Sequence, residues 1–342
     1  MCYAKTLCIW YVANKREMPW RNTSDPYRIW VSEAMLQQTQ VDTVIPYYDR
    51  FIERFPTVFS LAGASLEEVF AVWQGLGYYK RAENLYKGAN VIVSQFGGLF
   101  PNDIQSVMQI PGVGAYTAGA ILSIAFNQPI PAVDGNVMRV ISRQFLISDD
   151  ISLPKSKSLF EELVLTLITE EPRVFNQALM ELGALICTPQ SPKCADCPMQ
   201  SQCLAFQMNL VQAYPVKTKK TRPIVEHYEV LLCKQGGGYW MEKRPQDGLL
   251  AGLWGFPMLT ESIIKTLGKD IKVTKLKPVR HVFTHRVWEM QPSIIDLDEQ
   301  DIKLPDTIMF AKDGQFVSCE LMVQLPIATA FRRIIIQIGH AS

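Results

Sequence analysis

Apolar residues recur every three to four positions from the start of the chain to about Tyr214. This spacing predicts amphipathic helices, and the glycine, proline and aspartate residues between the runs mark where helices start and stop. The clearest examples cover residues 41–55, 80–96 and 157–168. The pattern therefore predicts an all-α domain over residues 1–214.

The pattern changes after a short basic segment. Residues 215–225 contain two prolines together with Lys217, Lys219, Lys220 and Arg222. This composition is typical of a solvated linker, and such a linker could also lie along phosphates. From residue 226 onwards, short apolar runs alternate with turns, which predicts strands.

Residues 226–342 carry signals for both strands and helices. The strand signals cover residues 228–233, 239–243, 282 and 286–290, with a Gly236-Gly237-Gly238 turn between the first two. Two helical signals cover residues 261–267 and 327–338. The predicted fold class is multidomain, an all-α domain followed by an α+β domain.

Composition narrows the possible functions. The chain has 342 residues, 48% of them hydrophobic, which is enough for two separate cores. The net charge of +1 argues against a polybasic binder, so any phosphate contacts must be local or made by backbone amides. No apolar run is long enough to cross a bilayer, and Lys5, Lys15 and Arg16 interrupt the N-terminal run that a signal peptide needs. We expect a cytoplasmic protein, associated with the nucleoid in a bacterium.

Four cysteines form a Cys-x6-Cys-x2-Cys-x5-Cys run, at Cys187, Cys194, Cys197 and Cys203. This spacing predicts the ligands of an iron–sulfur cluster, and three interspersed prolines predict a loop. A zinc site is the first alternative, although zinc ligands usually come as two Cys-x2-Cys pairs. Disulfides are the second alternative, and they would need an oxidising compartment.

A glycine-rich turn, with Gly112, Val113 and Gly114, opens a run of small residues that continues to Ala120. Glycines let a backbone approach a phosphate closely, and the following helix N-terminus adds a partial positive charge. The turn therefore predicts a contact with the DNA backbone that needs no basic side chain. An ordinary tight turn between packed helices is the alternative.

Two carboxyl groups are candidates for acid and base chemistry. Asp134 follows two prolines at the predicted N-cap of a helix, where amide hydrogen bonds keep it ionised. Glu33 lies in a helix started by Asp25 and Pro26, beside apolar neighbours such as Trp30, so burial should raise its pKa. Such a pair suits cleavage of a glycosidic bond. Alternatively, the aspartate is only a cap and the glutamate only a hydrogen-bond partner between helices.

The glycine-rich turn, Asp134 and the cysteine run, in this order, resemble the helix-hairpin-helix DNA glycosylases over residues 1 to about 214. The sequence around Glu33 resembles that of the MutY-type adenine DNA glycosylases, with Pro19-Trp20-Arg21 before the glutamate and Gly75-Leu76-Gly77-Tyr78-Tyr79 after it. This resemblance implies base excision repair of duplex DNA. The enzyme would flip out adenine mispaired with 8-oxoguanine, or with guanine, and hydrolyse its N-glycosidic bond.

The resemblance also assigns the catalytic residues. Glu33 would protonate the departing base, Asp134 would stabilise the oxocarbenium-like sugar, and Asn136 would steady that aspartate. Tyr116 stands where lyase relatives such as endonuclease III have a lysine. Without an amine no Schiff base can form, so the resemblance implies a monofunctional glycosylase.

Further residues take their expected roles from the same family. The four cysteines would hold a 4Fe-4S cluster with a structural and DNA-docking role. Gln38 and Tyr78 would wedge into the DNA helix as the nucleotide flips out. The adenine pocket would be lined by Trp20, Arg21, Leu36 and Gln177, unless these residues are ordinary core or surface positions.

The C-terminal part resembles the Nudix-type domain of the same family, in Arg244-Pro245, residues 248–257 and residues 281–285. By this resemblance Phe283, Thr284 and His285 would contact 8-oxoguanine. The family commonly has serine in place of Thr284, and threonine keeps the hydroxyl but adds a methyl group. The magnesium-binding glutamates of Nudix hydrolases are missing, which predicts recognition without hydrolysis. An ordinary strand end is the alternative for the three residues.

The expected partner is duplex DNA containing adenine opposite 8-oxoguanine, bound by a monomer and without a membrane. Three other functions stay open at this point. The first is a lesion-binding protein without catalysis, and the second is a hydrolase of oxidised nucleotides that works through the C-terminal domain. The third is an endonuclease III-like glycosylase and lyase acting on oxidised pyrimidines.

Overall fold

The computed structural model describes residues 3–218, 223–245, 248–259, 271–283, 285–300, 314–322 and 325–339. The chain divides into two compact units, Met1–Leu66 with Lys80–Lys219, and Glu67–Tyr79 with Lys220–Ser342. The domain boundaries that the sequence predicts, at residues 214 and 226, stay a prediction. Within the described ranges, no helix combines the length and the apolar character that crossing a membrane requires.

Helices make up the part of the chain before the linker, as predicted. Short 3-10 turns cover Pro19–Arg21, Cys194–Asp196 and Gln200–Gln202. The α-helices are α1 Tyr3–Asn14, α2 Pro26–Leu36, α3 Val41–Arg54, α4 Val58–Ala62, α5 Leu66–Trp73, α6 Lys80–Phe96, α7 Ile104–Val107, α8 Ala115–Phe126, α9 Gly135–Phe145, α10 Ser156–Leu167, α11 Pro172–Leu185 and α12 Leu204–Gln207. The helices expected at residues 41–55, 80–96 and 157–168 are therefore confirmed as α3, α6 and α10.

One apolar core of the first unit joins α1, α9, α10 and α11. Its buried members include Leu7, Val140, Phe160 and Leu179. Val133 belongs to the same core, directly before Asp134 in the chain. Burial of these side chains therefore also fixes the backbone that leads into the N-terminus of α9.

A close backbone contact fixes the same segment from the other side. A Cβ atom built on Gly119 of α8 would lie 2.1 Å from the carbonyl oxygen of Pro131. The Asn176 side chain on α11 accepts a hydrogen bond from Ala132 N–H at 3.0 Å and donates one to the Ile130 carbonyl at 2.9 Å. The segment before Asp134 is thus held between α8 and α11.

The second unit contains a mixed sheet. Its described strands are β1 Ile224–Gln235, β2 Gly238–Lys243, β3 Trp254–Gly255, β4 Met258–Leu259, β5 Thr274–Lys275, β6 Val279–Val282, β7 Arg286–Asp296 and β8 Gly314–Ser318. Their order is β3-β2-β1-β7-β5, while β4 pairs with β1, β6 with β7 and β8 with β2. The long β1 and β7 run parallel, from Ile224 opposite Arg286 to Lys234 opposite Asp296. The described residues after β8 form two helices, α13 Cys319–Met322 and α14 Thr329–Gly339.

The predicted strands are confirmed in β1, β2, β6 and β7, and the helix expected at residues 327–338 is confirmed as α14. Gly236 and Gly237, at φ +57° and +76°, form the tight turn between β1 and β2, as expected for a two-residue hairpin. The two-residue strands β3 to β5 were not predicted, because they are too short to show a period. The helix expected at residues 261–267 lies outside the described residues.

Residues 67–79 group with the second unit, although they lie early in the chain. Lys243 on β2 forms an ion pair with Glu67 of α5, with Nζ 3.1 Å from Oε1. Gln74 donates a hydrogen bond from Nε2 to the Leu325 carbonyl at 3.0 Å. The second unit is therefore built from two separate stretches of sequence.

Replacing Gly119 with alanine should destabilise the protein by about 1–3 kcal/mol, the usual cost of overpacking. The added methyl group would meet a backbone carbonyl, which no side-chain rotation can move away. Urea unfolding followed by circular dichroism measures this change. Gly135→Ala is the matched control, because nothing lies within 4 Å of a Cβ atom there. Equal stability of the two variants would contradict the expected clash.

Candidate active site and cluster site

A cavity of about 980 Å³ opens in the first unit between α2, α8, α9 and α11. Glu33, Tyr116 and Asp134, which are far apart in the sequence, all line it. Further predicted residues line the same cavity, namely Trp20, Arg21, Leu36, Gln38, Asn136 and Gln177. The structure therefore brings the expected acid, the expected carboxylate and the expected adenine pocket together in one place.

Glu33 lies in the second half of α2. Asp25 caps this helix by accepting a hydrogen bond from Tyr27 N–H at 2.9 Å, and Pro26 is its first residue. The Glu33 side chain is buried, with Ile29 and Trp30 of the same helix also buried. Burial raises its pKa to about 7; a hydrogen bond with Tyr116 opposes this rise, and the charge of Asp134 adds to it. The expected upward shift of the pKa is therefore present.

The Glu33 carboxyl keeps one oxygen without a protein partner. Within the described part of the chain, no hydrogen bond reaches its buried Oε2 atom. An unpaired oxygen in a buried carboxyl is costly unless another group satisfies it. The protein alone, within its described residues, therefore leaves this oxygen unsatisfied.

Tyr116 lies in the first turn of α8, and its hydroxyl group hydrogen-bonds to the Glu33 carboxyl. Burial, together with the charges of Glu33 and Asp134, raises the tyrosine pKa well above its ordinary value. The hydroxyl therefore stays protonated at neutral pH. Its oxygen also lies 3.7 Å from the sulfur of Met180 on the cavity wall.

Asp134 is the N-cap of α9, as predicted. Its Oδ1 atom accepts a hydrogen bond from Val137 N–H at 2.7 Å, and its Oδ2 atom accepts one from the Asn136 side chain at 2.8 Å. Both bonds hold the carboxyl group in a fixed orientation at the start of α9. Asn136 thus stands beside Asp134 as the sequence resemblance implied.

A chain of hydrogen bonds leads from Asp134 to the cysteine loop. The Oδ1 atom of Asn136 accepts a bond from Arg139 Nη2 at 2.9 Å. Arg139 also donates from Nε to the Cys187 carbonyl at 2.8 Å and from Nη2 to the Gly183 carbonyl at 2.8 Å. One buried guanidinium therefore connects the environment of the carboxylate to the first cysteine of the run.

The sequence analysis missed Glu181, a buried carboxyl group in the wall of the cavity. Its Oε2 atom lies 2.8 Å from Arg16 Nη2 and 2.7 Å from Arg21 Nη2. Burial opposes ionisation, but hydrogen bonds from the two arginines outweigh it and hold the pKa of Glu181 at about 2. Its position four residues after Gln177 puts both side chains on one face of α11, and this spacing could have revealed it.

Arg21 and Gln177 line the cavity with groups that already have partners. The Arg21 guanidinium bonds to Glu181 and to the Arg16 carbonyl, and it lies over the ring of Tyr11. Gln177 accepts a hydrogen bond from the Tyr11 hydroxyl at 3.1 Å and donates one to the Arg173 carbonyl at 3.1 Å. These residues therefore shape the wall as a connected network.

Gln38 and Tyr78 both adopt a left-handed backbone conformation, at φ +58° and +49°. Residues other than glycine rarely take this conformation, and such strain is common at functional sites. Gln38 lines the cavity directly after α2, whereas Tyr78 belongs to the second unit and its side chain is 51% exposed. The two residues expected to act as wedges thus share a strained backbone.

The glycine-rich turn adopts the form that the sequence predicted. Gly112 has φ +81°, and a Cβ atom there would lie 2.7 Å from Asn84 Cβ. Val113 N–H bonds to the Ile110 carbonyl at 3.0 Å, and Gly114 is the N-cap of α8 without a side-chain cap. The cap residue therefore offers no side-chain acceptor to the first backbone N–H groups of α8.

The four cysteines of the run line one cavity, whose apolar wall includes Ile186, Phe206 and Val211. Backbone N–H groups bond to two of the sulfurs, from Met199 to Cys197 and from Ala205 and Phe206 to Cys203. Arg143 Nη1 lies 3.3 Å from the Cys187 sulfur. Sulfur ligands with N–H donors in an apolar pocket fit an iron–sulfur cluster.

Two of the expected recognition residues, Phe283 and His285, are described and lie between β6 and β7. The ring of Phe283 packs between His281 and Trp288, with centroids 4.5 and 4.8 Å apart. The exposed His285 accepts a hydrogen bond at its carbonyl from Ile224 N–H at 3.0 Å. Thr284 lies outside the described residues. Phe283 is thus a packed aromatic residue next to an exposed histidine.

Comparison with protein families gives three matches along the chain. Residues 31–166 match the HhH-GPD superfamily base excision DNA repair protein. Residues 187–203 match the iron-sulfur binding domain of endonuclease III, and residues 228–337 match a NUDIX domain. The cofactor is therefore a 4Fe-4S cluster, as predicted, and the helical and α+β fold classes are confirmed.

Among solved structures, a thermostable thymine-DNA glycosylase aligns with a TM-score of 0.56 and 31% identity, over 60% of this chain and 95% of that one. A trapped endonuclease III–DNA covalent intermediate aligns with a TM-score of 0.52 and 24% identity, over 60% of this chain and 95% of that one, which shows a shared fold. The fold and the site thus define the class of the helix-hairpin-helix DNA N-glycosylases.

Two curated relatives give the family within this class. An adenine DNA glycosylase of Buchnera aphidicola subsp. Schizaphis graminum is 36% identical over 305 residues, which cover 86% of this chain and 88% of that protein. An adenine DNA glycosylase of Arabidopsis thaliana is 42% identical over 289 residues, 72% of this chain. The chain spans only 46% of the length of the Arabidopsis protein. The chain belongs to the adenine DNA glycosylase family.

Replacing Glu181 with glutamine should destabilise the first unit by about 3 kcal/mol at neutral pH, because two guanidinium groups lose their buried partner. The folded-state pKa lies below the ordinary value, so this stabilisation is present above about pH 4.5 and is lost as the pH falls through about 2. Urea unfolding at several pH values measures the difference.

The exposed Glu162→Gln is the matched control and should change stability by less than about 0.5 kcal/mol. A Glu181→Gln variant as stable as this control at neutral pH would show that the ion network is not stabilising.

Proposed function

We propose that this protein removes adenine mispaired with 8-oxoguanine, or with guanine, from duplex DNA by hydrolysing the N-glycosidic bond. Glu33 acts as the general acid, and Asp134 stabilises the oxocarbenium-like sugar. The observation that carries the proposal is the single cavity that holds a buried Glu33, whose pKa burial raises to about 7, and a hydrogen-bonded Asp134 carboxylate. The groups that the chemistry needs belong to one chain, which supports action as a monomer.

The reaction needs a proton on the leaving base and negative charge near the sugar. With a pKa of about 7, Glu33 is about half protonated at neutral pH and can give its proton to a ring nitrogen of adenine. As the bond to the base breaks, positive charge develops on the sugar. The Asp134 carboxylate, oriented by Val137 N–H and Asn136, stabilises that charge.

Tyr116 supports hydrolysis over strand cleavage. Its protonated hydroxyl donates a hydrogen bond and offers no amine, so an imine with the opened sugar cannot form at this position. Its contact with Glu33 orients the acid toward the cavity. The product is then an abasic site in an intact strand.

The surrounding residues suit the binding of a flipped adenine. Trp20, Leu36 and Gln177 form the cavity wall, and Arg21 holds that wall through its bonds to Glu181. Gln38 and Tyr78 fill the gap in the base stack, a task that fits two residues in a strained backbone. The turn at Gly112 to Gly114 holds the DNA backbone through its amides.

Recognition of the opposite base is assigned to the second unit. The 8-oxoguanine contacts Phe283, Thr284 and His285, and the exposed His285 supports such a contact. Packing against His281 and Trp288 fixes the position of the Phe283 ring. The cluster, held by the four cysteines, has a structural and DNA-docking role, and proton transfer to the base takes place at Glu33.

The direct test incubates the purified protein with duplexes that carry adenine opposite 8-oxoguanine, guanine, cytosine or thymine. Strand breaks after alkali treatment should appear for the first two duplexes, because alkali cleaves the abasic product. Breaks without alkali would support the lyase alternative. Binding of the 8-oxoguanine duplex without any excision would support a lesion-binding protein and overturn the proposal.

Glu33→Gln should lower the single-turnover excision rate by at least about 100-fold, because glutamine cannot donate the proton. DNA binding should be preserved, since the side chain keeps its size. Gel-shift and single-turnover assays measure the two quantities. Glu162→Gln, on the exposed face of α10, is the control. An unchanged rate in Glu33→Gln would exclude this residue as the acid.

The excision rate should fall as the pH rises through about 7, because the acid must be protonated and burial raises the Glu33 pKa to about that value. Single-turnover rates between about pH 5.5 and 9, at saturating enzyme, measure this titration. Binding measured over the same range separates it from a change in affinity. A rate that rises over this interval would contradict the assignment of Glu33.

A further inference from the structure

Arg143 is a buried cation beside the cysteine run. It lies on α9 and its residue is only 2% exposed. Among the described residues, no aspartate or glutamate oxygen lies within the 4.0 Å that defines an ion pair with its guanidinium. A buried charge without an opposite charge is strongly unfavourable. Among the described residues, no acidic side chain therefore offsets the positive charge of Arg143.

The guanidinium instead bonds to both ends of the cysteine loop. On the upstream side it donates to the Thr188 carbonyl at 2.8 Å and to the Pro189 carbonyl at 3.0 Å. On the downstream side Nε bonds to the Val211 carbonyl at 3.1 Å and to the Tyr214 carbonyl at 2.9 Å. One side chain therefore closes a loop whose ends lie more than twenty residues apart in the sequence.

The same residue contacts the first cysteine through its side chain and the last cysteine through its backbone. Its Nη1 atom lies 3.3 Å from the Cys187 sulfur, and its backbone carbonyl lies 3.6 Å from the Cys203 sulfur. Four thiolates outweigh the positive charge of an iron–sulfide core, so a bound 4Fe-4S cluster is an anion. The missing opposite charge for Arg143 is then the cluster itself.

We propose that Arg143 is the counter-ion of the 4Fe-4S cluster and the residue that closes the cysteine loop around it. Its charge stabilises the cluster anion, most of all in the reduced form, which carries one more negative charge. Its five hydrogen bonds make the fold of residues 188–214 depend on the same side chain. Loss of the cluster leaves a buried cation without compensation, so loop closure and cluster retention are coupled.

Two variants separate charge from hydrogen bonding. Arg143→Met removes both, and loss of the cluster to a chelator should become about 10- to 100-fold faster, the range found for outer-shell partners of metal sites. The reduction potential of the clusters that remain should become more negative. Arg143→Lys keeps the charge but cannot bridge the same carbonyls, so cluster loss should speed up while the potential stays near that of the wild type.

The measurements are iron content, the visible absorbance of the cluster over time with chelator, and voltammetry of the same protein. Arg173→Met is the matched control, because Arg173 is partly buried and, like Arg143, bonds to a backbone carbonyl, in this case that of Ala125, away from the cysteines. This control variant should change neither the rate of cluster loss nor the reduction potential. An Arg143→Met protein with unchanged cluster loss and unchanged potential would overturn the proposal.

The wild-type protein provides a test that needs no variant, should Arg143→Met fail to fold. Cluster removal by oxidation and chelation should expose the backbone amides of residues 188–214 to hydrogen exchange. Amides in α3 should keep their protection, because α3 lies far from the cysteines in the sequence and contributes no residue to the core against which Cys187 and Cys197 pack. Full protection of residues 188–214 after the cluster is gone would show that loop closure does not depend on it.

Discussion

The contact between α8 and the segment before Asp134 is the constraint on which the active-site geometry depends. Gly119 lets the helix approach the Pro131 carbonyl to a distance that no other residue allows. The same helix carries Tyr116 at its start and packs against α2, the helix of Glu33. One close backbone approach therefore helps to set the positions of Glu33, Tyr116 and Asp134 relative to each other.

Burial alone does not decide the protonation state of the carboxyl groups in this cavity. Glu33 and Glu181 are both buried in its wall, yet the pKa of the first is about 7 and that of the second about 2. The difference lies in the partners, because Glu33 has a neutral tyrosine hydroxyl and Glu181 has two guanidinium groups. The cavity can therefore hold a proton on one carboxyl group and keep a structural anion on another.

The cysteine loop is tied to the active site through two arginines of α9. Arg139 connects the hydrogen bonds around Asp134 to the Cys187 carbonyl, and Arg143, one turn further along, bonds to the Cys187 sulfur. A single rigid helix thus carries the N-cap carboxylate at one end and the contacts to the loop along its side. The hydrogen bonds around Asp134 and those of the cysteine loop therefore share one helix.

The sequence by itself determined the features that depend on local pattern and residue type. These are the all-α and α+β parts, the helix caps at Asp25 and Asp134, and the cysteine run that binds the cluster, because periodicity, capping and ligand spacing are local properties. Only the tertiary structure revealed the ion network of Glu181 and the uncompensated charge of Arg143. Their partners lie 160 or more residues away for Glu181 and more than forty for Arg143, and a single sequence contains no signal for such distances.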